Sequence, residues 1–241
     1  MYRALITYDG TQYLGWQKTR MGPSIQETFS FAIEKTTQEQ ILPEAASRTD
    51  KGVHAKGQMI AFPLQKKWDP YRLACALNAR LPKDIRILSI EEVLEDFHPT
   101  LHATGKEYHY HICLSPFQEP TQRLYAWHFP RDLDLSLMET ASQQLIGKHD
   151  FSAFANEKED RPVCHLKSID FHKEEKEKLK IILQGDRFLY KMARNLVGTL
   201  IYIGSGKLPP DCIPSILSSR DRKKAGLTAP AHGLFLHHVI Y

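Results

Sequence analysis

The stretch SRTDKGVHAKGQMIAF, Ser47–Phe62, sets one carboxylate, Asp50, between the cations Arg48 and Lys51 and follows it with Gly52. Glycine takes backbone angles closed to other residues, so the first half reads as a tight loop that presents an acid. The second half, from Val53 to Phe62, has strand composition, with Met59–Phe62 apolar. The loop is therefore expected at the end of a buried strand. Two readings of Asp50 follow. It caps a turn and pairs with Arg48 at the surface. Alternatively, an arginine keeps it ionised in a partly buried cleft, where an opposite charge lowers a carboxylate pKa by about 1 to 3 units and leaves a nucleophile or base.

On the amino-terminal side, Tyr2, Ala4, Ile6 and Tyr8 alternate with Arg3, Leu5 and Thr7, a strand that ends at Asp9-Gly10. Tyr13 and Trp16 then flank Gly15. Ser24 and Glu27 have capping-box spacing, and Ile25, Phe29, Ala32, Ile33 and Thr36 share a helix face behind them. Beyond Phe62, Asp69-Pro70 opens a second helix through Leu73, Ala74 and Leu77, closed by Asn78–Pro82. Asp84–Val93 reads as a strand.

From Ala103 the order restarts. Lys106, Tyr108, Tyr110 and Ile112 share one strand face, with Glu107, His109, His111 and Cys113 on the other. Ser115–Pro130 reads as a loop with a short edge strand. Asp134 caps a helix through Met138, Ala141, Leu145 and Ile146, with Gly147 as its stop. His149–Phe154 is a tight aromatic connection. Val163–Phe171 and Leu179–Leu183 form a hairpin with the charged tip His172–Lys178. Phe188–Ile203 is the most apolar helix, ended by Gly204, with Lys191, Arg194 and Asn195 as its polar members. A short helix over Asp211–Ser218 and a strand over Gly233–Ile240 close the chain. The pattern is α+β, with mainly antiparallel strands and helices laid on one side of the sheet. It divides into residues 1–100, carrying the Asp50 loop, and 101–241, with a cleft expected where the halves meet.

The composition narrows the function classes. In 241 residues, 42% are hydrophobic and no apolar run approaches the roughly 18 residues of a membrane span. MYRALITYDG enters a strand directly with no apolar signal segment, so a cytosolic protein is expected. Cys75, Cys113, Cys164 and Cys212 form no Cys-x-x-Cys pair, which argues for buried thiols rather than a zinc ribbon or redox dithiol. A formal charge of +4 permits a polyanionic partner without requiring one. His98 and His102 have metal-pair spacing, but Pro99 lies between them and no acidic ligand follows at a fixed offset, so no metal is expected.

Seven blocks then carry a resemblance: YDGTQYLGWQ, SRTDKGVHAKGQMIAF, LNARLP, DFHPTLHATGKEYHY, LIGKHDFSAF, FLYKMARNLVGTLIYIG and GLFLHHVIY. In this order they resemble the bacterial tRNA pseudouridine synthase A family, across nearly the whole chain. The resemblance implies the pseudouridine synthase fold, two α+β halves sharing a long mixed, mainly antiparallel sheet. It implies isomerisation of uridine to pseudouridine at positions 38, 39 and 40 of the tRNA anticodon stem-loop, by base flipping, without cofactor or metal, in a homodimer. Carried onto this chain, Asp50 is the catalytic aspartate and Arg48 helps extrude the base. Tyr108 stacks on the flipped uracil, Arg194 pairs with the aspartate, and Leu234 walls the base pocket. Ser47 stands where that family has glycine, and Lys51 where a small residue is frequent.

Two other classes compete. A non-catalytic tRNA-binding or chaperone protein would grip RNA through the same cleft and release no tritium from uracil labelled at C5. A metal-dependent nuclease using Asp50, His54 and His98 would be stopped by chelator, although no ligand spacing supports it. Lys18, Arg20, Lys51 and Lys56, with Arg48, supply a basic surface able to grip phosphates.

Overall fold

The computed structural model describes residues 1–174 and 177–241. The chain groups into two units, Met1–Thr104 together with Phe235–Tyr241, and Gly105–Leu234.

The first unit opens with β1 (Tyr2–Tyr8), whose Tyr2, Ala4, Ile6 and Tyr8 are all buried, as the alternation predicts. Helix α1 (Ile25–Thr37) starts where Ser24 accepts a hydrogen bond from the Glu27 amide, and buries Ile25, Phe29, Ala32 and Ile33. Thr37, rather than the expected Thr36, completes that face. The short β2 (Glu44–Ala45) leads through the Asp50 loop into β3 (His54–Phe62). Helix α2 (Pro70–Asn78) is capped by Asp69, which accepts from the Arg72 amide, and buries Leu73 and Leu77. Strand β4 (Ile85–Glu92) follows. β1 lies between β3 and β4, antiparallel to both, and β2 adds antiparallel to β3.

The second unit begins with β5 (Gly105–Cys113) and β6 (Trp127–His128), a two-residue strand parallel to β5 within the loop. Helix α3 (Leu135–Gln143) is capped by Asp134, and β7 (Gly147–Asp150) follows. β8 (Val163–Glu174) and β9 (Lys178–Gly185) make the hairpin. Of its expected charged tip, Glu175 and Lys176 lie outside the described residues. Helices α4 (Met192–Gly204) and α5 (Ile213–Ser219) complete this unit, with strand order β5-β9-β8-β7, antiparallel throughout. The terminal strand β10 (Leu234–Ile240) then returns to the first unit, where Phe235 and Leu236 run parallel to His54 and Ala55. Both units are α+β. No helix of the described residues is long and apolar enough to cross a membrane.

Two helix boundaries depart most from the sequence reading. Gly147 does not stop α3. The helix ends at Gln143, and the amides of Gln144, Leu145 and Ile146 bond three residues back, so that Gly147 opens β7 instead. Helix α4 starts at Met192 rather than Phe188. Lys191 is left-handed with φ 60°, and the Tyr190 carbonyl, which a longer helix would bond to Arg194, accepts from the Asn156 amide at 3.2 Å.

Helix α4 is buried around most of its circumference, so its one fully buried amide side chain must be satisfied internally. Asn195 Nδ2 donates to the Phe154 carbonyl at 2.6 Å and to Asn156 Oδ1 at 2.8 Å. Its Oδ1 accepts from Arg222 at 2.8 Å and from Thr228 at 2.7 Å. Asn195→Leu, of similar volume, removes all four of these bonds, while Arg222 keeps the Gly226 carbonyl and Thr228 as acceptors. It is expected to destabilise the fold by about 2–4 kcal/mol, read from denaturant midpoints.

Candidate active site

The Asp50 loop is held from beneath by buried polar groups. Gln58 has no exposed surface, and its amide grips the backbone of Ser47 on both sides. Oε1 accepts from the Ser47 amide at 3.1 Å, and Nε2 donates to the Ser47 carbonyl at 2.6 Å and to the Tyr8 hydroxyl at 3.3 Å. Tyr8 in turn shares a hydrogen bond with Thr49 Oγ1 at 2.8 Å. Burial pushes the Tyr8 phenol up to about 12, against the pull of its bonds to Thr49 and Gln58, so it remains neutral.

A second clamp comes from the segment before α1. The Trp16 amide donates to the Thr49 carbonyl at 3.0 Å, and Gly15 forms a bridge with Asp50. Gly15 has φ 101°, and a Cβ there would lie 2.5 Å from the Thr49 carbonyl oxygen, so only glycine allows this approach. Gly52, with φ 77°, turns the chain back, and the Val53 amide bonds to the Asp50 carbonyl at 3.1 Å. Asp50 is half-buried on this loop, while Arg48 and Lys51 are exposed.

Histidines named by the nuclease reading are engaged with backbone. His54 Nδ1 accepts from the Gly10 amide at 3.1 Å, and its ring stacks on Phe235 with centroids 4.5 Å apart. His98 Nδ1 accepts from the amides of Thr100 and Leu101, and His102 Nδ1 from the amide of His98. His98 and His102, which share metal-pair spacing in the sequence, thus hydrogen-bond within a local turn.

The other expected site residues belong to the second unit. Tyr108 is buried on β5, its ring meeting Phe188 edge-on at 5.0 Å. Arg194, in the first turn of α4, donates from Nε to the Ala229 carbonyl at 2.7 Å, and its own carbonyl accepts from the Ala229 amide. Its charge acts on Tyr110 and His232. Burial raises the Tyr110 phenol well above its ordinary value, with Arg194 opposing; burial lowers His232, with Arg194 adding to the effect. Tyr110 donates to the Pro230 carbonyl at 2.7 Å. Leu234 is buried at the start of β10.

The profile described as tRNA pseudouridine synthase matches residues 4–100 and 141–241. The chain belongs to the tRNA pseudouridine synthase family. A protein named tRNA pseudouridine synthase A 2 from Protochlamydia amoebophila is 50% identical, over 98% of this chain and 92% of that one. Another of that name from Clostridium perfringens is 42% identical, over 98% of this chain and 97% of the other. A tRNA pseudouridine synthase A from Listeria monocytogenes is 41% identical, over 100% and 98% of the two chains. The family isomerises uridine to pseudouridine in tRNA, and this chain is an isomerase of that class. Arg48, Asp50, Arg194 and Leu234 fall within the matched residues, and Tyr108 outside them.

Sequence reasoning did not single out Gln58, which reads as one more polar residue on a strand, nor Tyr8, which reads as core. It also left Lys106 as a plain member of the Tyr108 face. Lys106 is 9% exposed, and burial together with the nearby Arg187 charge pushes its ammonium down to about 8. Strand spacing with Tyr108 is the one signal that could have marked it.

Gln58→Leu keeps the volume and removes three hydrogen bonds. It is expected to cost about 2–3 kcal/mol in denaturant unfolding and to depress turnover far more than RNA affinity. For Lys106 the sign runs the other way. Between pH 8 and the ordinary lysine pKa near 10.5, the unfolded chain holds a proton that the folded chain has released, so stability rises with pH through that window. Lys106→Met should therefore stabilise the protein at pH 7 by on the order of 2 kcal/mol, a gain that fades toward pH 10.5. Melting curves of the two proteins across pH 7–10.5 test this.

Proposed function

We propose that this isomerase acts on uridines 38, 39 and 40 of the tRNA anticodon stem-loop, as a cytoplasmic homodimer without cofactor or metal. The observation that carries the reading is the doubly clamped loop presenting Asp50, in a chain whose blocks match the family along its length. The target uridine leaves its stack, at a cost of a few kcal/mol, with Arg48 extruding it from the exposed side of the loop. Tyr108 supplies the stacking face, worth about 1–3 kcal/mol, and Leu234 walls the pocket. Asp50 acts as an ionised carboxylate while the bond between uracil N1 and ribose C1′ breaks, and Arg194 provides its counter-charge. The uracil turns, C5 bonds to C1′, the C5 proton passes to solvent and N1 takes up a proton in its place, so atoms balance with no second substrate.

Asp50→Asn and Asp50→Ala should abolish tritium release from C5-labelled anticodon stem-loop RNA, a loss of more than about 10³-fold. Melting temperature and RNA affinity should remain close to wild type. Turnover surviving Asp50→Ala would remove Asp50 from the chemistry. RNA binding by the wild-type protein without tritium release would favour the RNA-chaperone class.

A further inference from the structure

We propose that Lys106 and Arg187 form an anion subsite on the Tyr108 side of β5, which takes a phosphodiester of the RNA flanking the flipped uridine. The inference rests on the reading of Tyr108 as the stacking platform, and it adds a contact to the substrate's backbone.

Lys106 is buried on a strand, yet among the described residues its side chain has neither an ion-pair partner nor a hydrogen-bond acceptor. The carboxylates nearest in sequence are committed elsewhere. Glu107 points to the opposite face, where its oxygens meet His109 Nε2 and Gln184 Nε2, each at 2.6 Å. Asp186 Oδ1 accepts from the amides of His165 at 2.8 Å and Arg187 at 2.6 Å. The strand register sets Gly185 opposite Lys106, so no side chain from β9 covers it there. The charge that acts on Lys106 is a second cation, Arg187, just beyond β9 and likewise without an ion pair among the described residues.

Two like charges, one of them buried, raise the free energy of the free protein unless an anion joins them. Neutral uracil would leave both charges uncompensated. A phosphodiester is a permanent anion with oxygens for both an ammonium and a guanidinium. Lys106 and Tyr108 lie two residues apart on one strand face, roughly 6–7 Å. That is about the reach from a base to a phosphate of the same nucleotide. Burial, with the Arg187 charge adding to it, pulls the Lys106 ammonium down, and a bound phosphate would oppose that pull.

The test uses the full chain carrying Asp50→Asn, so that binding is read without turnover, and anticodon stem-loop RNAs with single methylphosphonate linkages 5′ or 3′ of the target uridine. Lys106→Met should weaken binding of the unmodified RNA roughly tenfold. It should also reduce the slope of log Kd against log salt by about 0.7–0.9. Lys106→Arg should restore both, and Arg187→Gln should show the same slope change. One methylphosphonate should weaken the Lys106 protein yet cost Lys106→Met nothing further. The proposal is overturned if the salt slope is unchanged in both neutral variants, or if every methylphosphonate costs Lys106→Met as much as its parent. Pseudouridine formation by the protein with Asp50 intact is measured separately. Its absence alongside these binding effects would sink the enzymatic reading and keep the phosphate contact; its presence without them would do the reverse.

Discussion

The structure of the site depends on one buried amide. Gln58 satisfies both backbone groups of Ser47, three residues before Asp50, and ties them to Tyr8 on the neighbouring strand. A buried amide that loses its partners costs far more than one hydrogen bond contributes, so the arrangement is close to all-or-none. The loop cannot drift while Gln58 stays in the core. Gly15 and Trp16 close the other side by backbone contact, which leaves Asp50 on a rigid mount although it sits in a loop. The role proposed for Asp50, meeting a reacting sugar or ring within a fraction of an ångström, gains from a mount of this kind. Serine at position 47 fits it because the grip is on the backbone, which serine and glycine share.

The second unit applies the same logic with a different outcome. Asn195 is fully matched, and it locks the first turns of α4 to the segments around Phe154 and Thr228. Arg194 is consequently held one residue away, anchored at Ala229, with its charge set among Tyr110 and His232. Lys106 is the exception: a buried ammonium with no ion-pair partner among the described residues. A core selected for stability alone would hold a methionine there. The strain belongs with binding, where a substrate carrying negative charge completes what the fold leaves open.

Much of this was legible in the sequence because it is local. The alternation in Tyr2–Tyr8 and the caps at Ser24, Asp69 and Asp134 depend on residues at most four apart, and each appears where its chemistry demands. Of the two misplaced helix boundaries, the start of α4 is long-range in origin. Nothing between Phe188 and Met192 announces that the Tyr190 carbonyl is taken by Asn156, and an apolar run reads as helix until such a competitor is known. Gly147 looked like a helix stop because glycine usually is one, whereas the helix had already tightened and closed before it.

The sequence by itself determined the chemistry-bearing residue types, the α+β class and the family, since these are carried by short patterns and their order. It marked Asp50 as an acid on a tight turn. Only the tertiary structure decided why that acid is rigidly placed, because the groups that hold it, Tyr8, Gly15 and Gln58, come from three separate stretches of chain. It also decided that Lys106 is buried with no acidic partner among the described residues, and that the last strand, β10, groups with the first unit. Burial and pairing are properties of the closed fold; a periodic pattern shows which face a residue takes, but not what lies across from it.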